Sequence, residues 1–207
     1  MIPYDQIADQ FQTGDIVLFQ GVSLESRLIE DIDRSRYSHV GIAVRLPGYD
    51  APLLWSSDTI ATLKDAVDNR PQAGVHLIGL RETLSFLLNE TSTRKKPPYT
   101  FARRALTTTR DAGFEQALEA FMRSVDGRAF PSLAKMAEHF LEGSLGIKVS
   151  LRTFFCAELV ADTYVHLGLL PKNRLVNSYS PGTFAQGHGL QLTGGSTLGP
   201  EQAFSYP

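Results

Sequence analysis

Cysteine is nearly absent from this sequence: Cys156 is the single one in 207 residues. One cysteine excludes an intramolecular disulfide and any zinc site built from cysteines, so the chain is compatible with a reducing compartment. An H-E-x-x-H pair, a P-loop, a G-x-G-x-x-G turn and a G-x-S-x-G elbow are missing too. The sequence therefore predicts no metal site and no cofactor, and it argues against a serine hydrolase of the α/β type.

Charge of one sign and long apolar runs are also lacking. The formal net charge is −2, which indicates no nucleic-acid partner. Residues 175–200 carry no Asp, Glu, Lys or Arg, but their Gly, Ser, Gln and Asn content predicts a surface loop rather than a membrane helix. Because no basic region followed by an apolar run opens the sequence, we expect no signal peptide and a cytoplasmic protein, with peripheral lipid contact left open.

The length and composition suit one globular domain. Hydrophobic residues make up 43% and charged residues 20% of the chain, enough to bury a sizeable core. No internal repeat or composition break demands a second domain. Two amphipathic helices are predicted in succession between Asp111 and Gly143, and we interpret residues 111–150 as a helical insertion or cover within a single domain spanning 1–207.

Cys156 stands where a helix is predicted to begin. Apolar residues recur after it at helical spacing, and Gly168 and Pro171 supply the stop. A thiol in the first turn of a helix is close to unpaired backbone N–H groups and the positive end of the helix dipole, both of which favour thiolate. Taken alone, however, a free cysteine is more often a buried structural residue.

A histidine opens the predicted strand at residues 39–44. Its side chains alternate between two faces, with Val40, Ile42 and Val44 on one and His39, Gly41 and Ala43 on the other. We interpret the small residues beside His39 as room for a helix to bring its N-terminus up to the imidazole. A structural histidine is the alternative.

Residues 53–58 are predicted to form an antiparallel partner strand, reached through a hairpin. Leu54, Ser56 and Asp58 share one face of it. If that face matches the face of His39, Ser56 or Asp58 would hold the imidazole through its far nitrogen. Alternatively, Ser57 and Asp58 cap the next turn.

Further elements follow from the same patterns. We expect a buried strand at 16–19, further strands at 75–78 and 99–104, and helices at 23–32 and 81–89. Basic residues between 94 and 104 indicate a solvated loop, with contact to an anionic surface as the alternative. The glycine-rich region beyond Pro171 is predicted to be a loop or lid with at most one short strand.

Three blocks of sequence together resemble one known family. They are residues 13–19, residues 38–42, and residues 155–160 followed by Tyr164 and 168–171. In this order they are similar to the circularly permuted branch of the NlpC-like papain-fold superfamily, which includes YiiX-like proteins and relatives of lecithin retinol acyltransferase. In that branch the histidine strand precedes the cysteine helix, as His39 precedes Cys156 here.

The resemblance implies an α+β fold, in which a papain-like antiparallel sheet or partial barrel packs against the cysteine helix, with extra helices. It makes Cys156 the nucleophile, His39 the general base and Ser56 the third catalytic residue, with Asp58 as the alternative. Many relatives carry a carboxylate or histidine at this third position, so Ser56 is a departure. Three aromatic residues are expected to bind substrate, namely Tyr179, Tyr37 and Phe155.

The function expected from these residues is acyl transfer through a thioester. With water as the acceptor, the protein would be an amidase or peptidase acting on a small peptide or a cell-wall-type fragment. One alternative is an acyltransferase or thioesterase acting on lipid, and another is a papain-like fold retained as a non-catalytic binding module. The sequence makes no prediction of the oligomeric state.

Overall fold

The computed structural model describes residues 1–20, 35–93, 100–129, 141, 142, 145 and 155–206. The helix predicted at 23–32, the basic connection at 94–98 and nearly all of the second amphipathic helix lie outside the described residues. None of the helices within the described ranges is long and apolar enough to cross a membrane.

The described part of the chain forms seven strands and four α-helices. The strands are β1 (Ile2–Pro3), β2 (Ile16–Gln20), β3 (His39–Val44), β4 (Leu53–Asp58), β5 (Gly74–Gly79), β6 (Thr100–Thr107) and β7 (Thr197–Ser205). The helices are α1 (Tyr4–Ile7), α2 (Leu80–Thr93), α3 (Ala112–Val125) and α4 (Cys156–His166). Short 3-10 turns occupy Ala8–Gln10, Val176–Ser178 and Pro181–Phe184.

All seven strands belong to one sheet in the order β1-β7-β6-β2-β3-β4-β5. Every neighbouring pair is antiparallel except β1 and β7, which run parallel. The central strand β2 is an apolar run because both of its faces are covered, as predicted for residues 16–19. The chain is therefore an α+β protein, which confirms the predicted fold class.

Each face of the sheet supports its own apolar core. The cysteine helix α4 packs on the face formed by Val40, Ile42 and Val44, and the helix α3 joins the same cluster. The opposite face, which includes Ala43, Leu54 and Phe204 of β7, is covered by α1 and by the start of α2.

The face that receives the cysteine helix is not the one predicted. Small residues beside His39 were expected to admit the helix, but the helix packs on the Val40 face because that face offers the larger apolar surface. The space above Gly41 is filled from the neighbouring strand instead. A Cβ at Gly41 would lie 2.7 Å from Cδ1 of Leu54, so this glycine accommodates a side chain of β4 rather than a helix.

The C-terminal region contains more sheet than predicted. Glycines at 187, 189, 194 and 195 have positive φ and form the expected loop. Beyond them, the prediction of at most one short strand is wrong, because β7 extends over nine residues. It pairs with β6 on one side and with β1 on the other, and this pairing satisfies the backbone despite weak local strand propensity.

A buried carboxylate connects the centre of the sheet to the surrounding loops. Asp15 is fully buried and accepts hydrogen bonds from the backbone N–H groups of Gln12 and Leu106. Nε of Arg103 donates to the same carboxylate at 2.7 Å, and Arg110 lies 3.4 Å away. These contacts fix the turn that leads into β2 against β6.

Replacing Asp15 with Asn should lower the free energy of unfolding by about 3 kcal/mol or more, because it leaves a buried guanidinium without its counter-charge. Asp5→Asn is the matched control, since Asp5 forms an exposed ion pair with Arg81 and should cost less than about 1 kcal/mol. Urea denaturation of both variants measures the difference. Equal losses would contradict the assignment of Asp15 as a structural centre.

Candidate active site

Cys156 is the first residue of helix α4, as predicted. Phe155 precedes it in an extended conformation, with φ −90° and ψ 162°, and ends the incoming segment. The side chain of Glu158 accepts a hydrogen bond from the N–H of Phe155 at 3.4 Å and so caps the helix. The cysteine is 3% exposed.

Two effects act on the thiol in opposite directions. Burial raises the pKa of Cys156 to about 12, although backbone N–H groups of Val40, Ala157 and Cys156 itself hydrogen-bond to the sulfur and lower the pKa in part. The helix N-terminus does favour thiolate, as the sequence predicts, but burial is the larger effect. The protein therefore rests with a protonated thiol.

The thiol lies where two strands separate. The β3–β4 ladder pairs Ile42 with Trp55 and does not continue to Val40. In place of a strand partner, the N–H of Val40 hydrogen-bonds to the sulfur of Cys156. The sulfur is thus in contact with the backbone of β3 one residue away from His39.

His39 is held at one ring nitrogen. Its Nε2 lies 2.8 Å from Oγ of Ser56, and its ring meets that of Phe19 edge-on, with centroids 5.2 Å apart. Burial lowers the pKa of His39, whereas the charge of Asp58 raises it and that of His76 lowers it, so the net shift is downward. The imidazole is neutral at pH 7.

A hydrogen-bonded series of side chains continues behind His39. Oγ of Ser56 donates to Oδ2 of Asp58 at 3.3 Å, and the same oxygen lies 3.1 Å from Nε2 of His76. We refer to His39, Ser56, Asp58 and His76 as the polar relay. It crosses strands β3, β4 and β5 on one face of the sheet, as the shared face of Ser56 and Asp58 predicted.

Asp58 fills both of the positions considered for it. Its Oδ2 takes part in the polar relay, and its Oδ1 accepts from the backbone N–H of Ile60 at 2.8 Å. The second contact is the predicted cap of the turn after β4. One carboxylate therefore supports Ser56 and closes the turn at once.

The thiol and the imidazole are neighbours that do not contact each other directly in this state. The hydrogen bonds between described residues do not include one from Cys156 to His39. Cys156 belongs to the core cluster on the Val40 face, whereas the ring of His39 meets Phe19, which belongs to the cluster on the opposite face. The three aromatic residues expected to bind substrate belong to the same core cluster as Cys156. Tyr37, Phe155 and Tyr179 are each 3% exposed or less, so in this state they present almost no open surface to a substrate.

Two residues of this region were missed by the sequence analysis. His76 received no role, although the alternation of its strand places it beside Ser56 once β4 and β5 pair. Glu158 received none either, because a glutamate in the first turn of a helix is ordinarily a solvated cap. Among the described residues, no three His, Cys, Asp or Glu side chains are grouped closely enough to bind a metal ion.

The fold and site define an α+β protein with a cysteine at a helix N-terminus and a histidine on the adjoining strand. No family model and no curated protein matches the chain. Among solved structures, it is similar to the crystal structure of the metalloprotein yiiX from Escherichia coli O157:H7, described as DUF1105, with a TM-score of 0.49 and 20% identity. The match covers 75% of this chain and 65% of that protein.

Glu158 gives this region a measurable pH dependence. Its side chain is fully buried, its Oε1 has no hydrogen-bond partner, and burial raises its pKa from 4.5 to about 8. A carboxyl group whose pKa is raised by folding stabilises the folded state fully below its unfolded pKa. That contribution is lost as the pH rises towards the folded pKa.

The wild-type protein should therefore lose about 3 to 5 kcal/mol of stability between pH 4.5 and pH 8.5 that a Glu158→Gln variant does not lose. Urea denaturation of both proteins across this range gives the comparison. Glu115→Gln, an exposed change on helix α3, serves as the control and should follow the wild type. If the curves of wild type and Glu158→Gln stay parallel, Glu158 is not a buried protonated acid.

Proposed function

We propose that the protein is a cysteine hydrolase that cleaves an amide bond in a small peptide or cell-wall-type substrate through a thioester on Cys156. The observation that supports this most is the way His39 is held. Its Nε2 is bound to Ser56 at 2.8 Å, one residue from the backbone N–H that contacts the thiol. The resemblance of the three sequence blocks to the permuted NlpC-like branch supports the same class and a papain-like arrangement.

The polar relay selects one tautomer of His39. An ionised Asp58 can only accept, so the hydroxyl of Ser56 donates its proton to Asp58. Oγ of Ser56 then accepts from Nε2–H of His39. The free lone pair is left on Nδ1, which is the nitrogen that accepts the thiol proton in the proposed reaction.

The reaction follows from two neutral partners. Nδ1 of His39 takes the thiol proton as the sulfur bonds to the substrate carbonyl carbon, and the carbonyl oxygen becomes an oxyanion. The backbone N–H of Cys156 is the leading oxyanion donor, and one such donor is worth about 3 kcal/mol in the transition state. The C–N bond then breaks, and the amine leaves with the proton from Nδ1. Water then takes the place of the amine: Nδ1 takes a proton from water as its oxygen bonds to the thioester carbon, the C–S bond breaks, and the sulfur receives the proton from Nδ1.

Ser56 lies between the imidazole and the carboxylate of Asp58. With this carboxylate behind it, a serine at the third catalytic position weakens the site less than a serine without one would. A hydroxyl orients imidazole but cannot offset the charge of imidazolium. Burial lowers the pKa of His39, and the charge of Asp58, which lies directly behind Ser56, offsets part of that lowering. In this proposal Ser56 and Asp58 together fill the third catalytic position.

A second candidate function is a non-catalytic binding module. It is favoured by the 3% exposure of Cys156 and by the missing hydrogen bond between thiol and imidazole among the described residues.

An acyltransferase or thioesterase acting on lipid differs from the hydrolase only in the acceptor or the acyl donor. Dipeptide amides and phospholipid vesicles, offered separately, distinguish them: transfer of an acyl group to an amine in preference to water would exclude the hydrolase.

A reactive ester tests the nucleophile. p-Nitrophenyl acetate should transfer its acetyl group to Cys156, detected by p-nitrophenol release and by peptide mass mapping. Cys156→Ala should abolish the adduct, and His39→Ala should slow it by about 100-fold, the lower end of the usual effect of a general base. His166→Ala, a change at the far end of α4, is the control and should keep the wild-type rate. An unchanged rate in His39→Ala would favour the binding module.

The pH dependence of this acylation distinguishes base catalysis from a free thiolate. Because burial lowers the pKa of His39, the rate should stay constant to a pH below 6.5 before it falls. It should also stay level towards pH 9, because burial raises the pKa of Cys156 to about 12. N-acetylcysteine, the control, should instead gain about tenfold per pH unit below its ordinary pKa near 8.5. A protein profile parallel to that of N-acetylcysteine would contradict the mechanism.

A further inference from the structure

His76 is a buried histidine to which the proposed mechanism gives no part. It lies on β5 directly opposite Ser56 in the β4–β5 register, and its side chain is fully buried. Both ring nitrogens have partners. Nδ1 is 2.9 Å from the backbone carbonyl oxygen of Gln72, and Nε2 is 3.1 Å from Oδ2 of Asp58.

These partners fix the protonation of the ring. A carbonyl oxygen only accepts, so Nδ1 of His76 carries a proton, and with Asp58 ionised the contact between Nε2 and the carboxylate oxygen places a second proton on Nε2. Burial alone lowers the pKa of His76, but the hydrogen bond to Asp58 and the charge of Asp58 outweigh it, so the pKa is raised. The pKa of Asp58 is lowered by the same partner, although its burial acts the other way. The pair is an imidazolium and a carboxylate.

The charges around His76 favour the same state. Asp58 faces it from β4, and Asp65 faces it from the following loop, where Oδ2 of Asp65 accepts from the N–H of Leu77. Asp126, at the end of α3, also interacts with it. His39 lies across the relay from His76. Because the ring of His39 is neutral, it adds no positive charge that would oppose this state. Three carboxyl groups thus surround one positive ring.

We propose that His76 is a positioning residue for His39: its positive charge keeps Asp58 ionised, and an ionised Asp58 makes the hydroxyl of Ser56 point away from the imidazole. This rests on the proposed function, in which Nδ1 of His39 accepts the thiol proton. Without the charge of His76, burial makes Asp58 take up a proton, and the protonated carboxyl then donates a hydrogen bond to Oγ of Ser56. The serine proton then turns to Nε2 of His39, the ring proton moves to Nδ1, and the base is lost.

The variant His76→Gln tests the proposal, because glutamine keeps an N–H donor for Asp58 and removes the charge. At pH 7 its acetylation by p-nitrophenyl acetate should fall at least about tenfold, since a wrong histidine tautomer is costly in related catalytic arrangements. The rate should recover as the pH rises and Asp58 ionises, whereas the wild-type rate stays level. His166→Gln is the control and should keep the wild-type profile.

Nitrogen-15 NMR of the histidine rings supplies a readout that a purely structural role would not change. His39 should carry its proton on Nε2 in the wild type and on Nδ1 in His76→Gln at pH 7. If His76→Gln does not fold, the wild type alone decides the question, because His76 must have both nitrogens protonated at pH 7. A neutral His76 overturns the proposal.

The outcomes distinguish the role proposed for His76 from the proposed hydrolase function. If the wild type is acetylated at Cys156 and His76→Gln keeps both the wild-type pH profile and the tautomer of His39, the role of His76 is wrong and the hydrolase stands. If the wild type is not acetylated at Cys156, both are wrong. A pH-dependent loss together with the tautomer change supports both.

Discussion

The ionised carboxylate of Asp58 is the group on which the arrangement of the candidate site depends. It accepts from the hydroxyl of Ser56, from the ring of His76 and from the backbone N–H of Ile60, and so joins strands β4 and β5 to the turn between them. Because a carboxylate only accepts, the hydroxyl proton of Ser56 and the Nε2 proton of His76 both point towards it. The donor and acceptor of each hydrogen bond from Asp58 through Ser56 to His39 follow from that one charge. So does the free lone pair on Nδ1 of His39.

Burial is the second constraint, and it opposes the chemistry that the sequence predicts. The helix N-terminus and three backbone N–H groups stabilise a thiolate at Cys156, yet burial keeps the thiol protonated. His39 is kept neutral for the same reason. A site built from two neutral groups needs proton transfer at the moment of attack rather than a preformed ion pair, which makes the orientation of the imidazole decisive.

Local patterns in the sequence were sufficient to predict the elements that carry the site. The apolar alternation of β3, the parity of Ser56 and Asp58, and the helix beginning at Cys156 are all present in the structure. The face to which the helix would pack could not be predicted in this way. Gly41 and Ala43 indicate small volume, but the occupant of that volume, Leu54, is set by the strand register, which is a long-range property.

His76 and β7 were missed for the same physical reason. His76 gains its partner from Asp58, 18 positions earlier in the chain, and β7 gains its structure by pairing with strands β6 and β1. A pattern of neighbouring residues in the sequence reveals none of these partners. Burial of Glu158 is likewise a consequence of packing, since its sequence position alone indicates an exposed helix cap.

The central claim is that Cys156 carries the acyl group of an amide substrate during turnover. Acid quenching of the protein during reaction with a library of acylated dipeptide amides, followed by intact mass measurement and peptide mapping, tests it most directly. A thioester on Cys156 that hydroxylamine releases is the predicted result. Amide turnover with no adduct on Cys156, or equal turnover by Cys156→Ala, would contradict it.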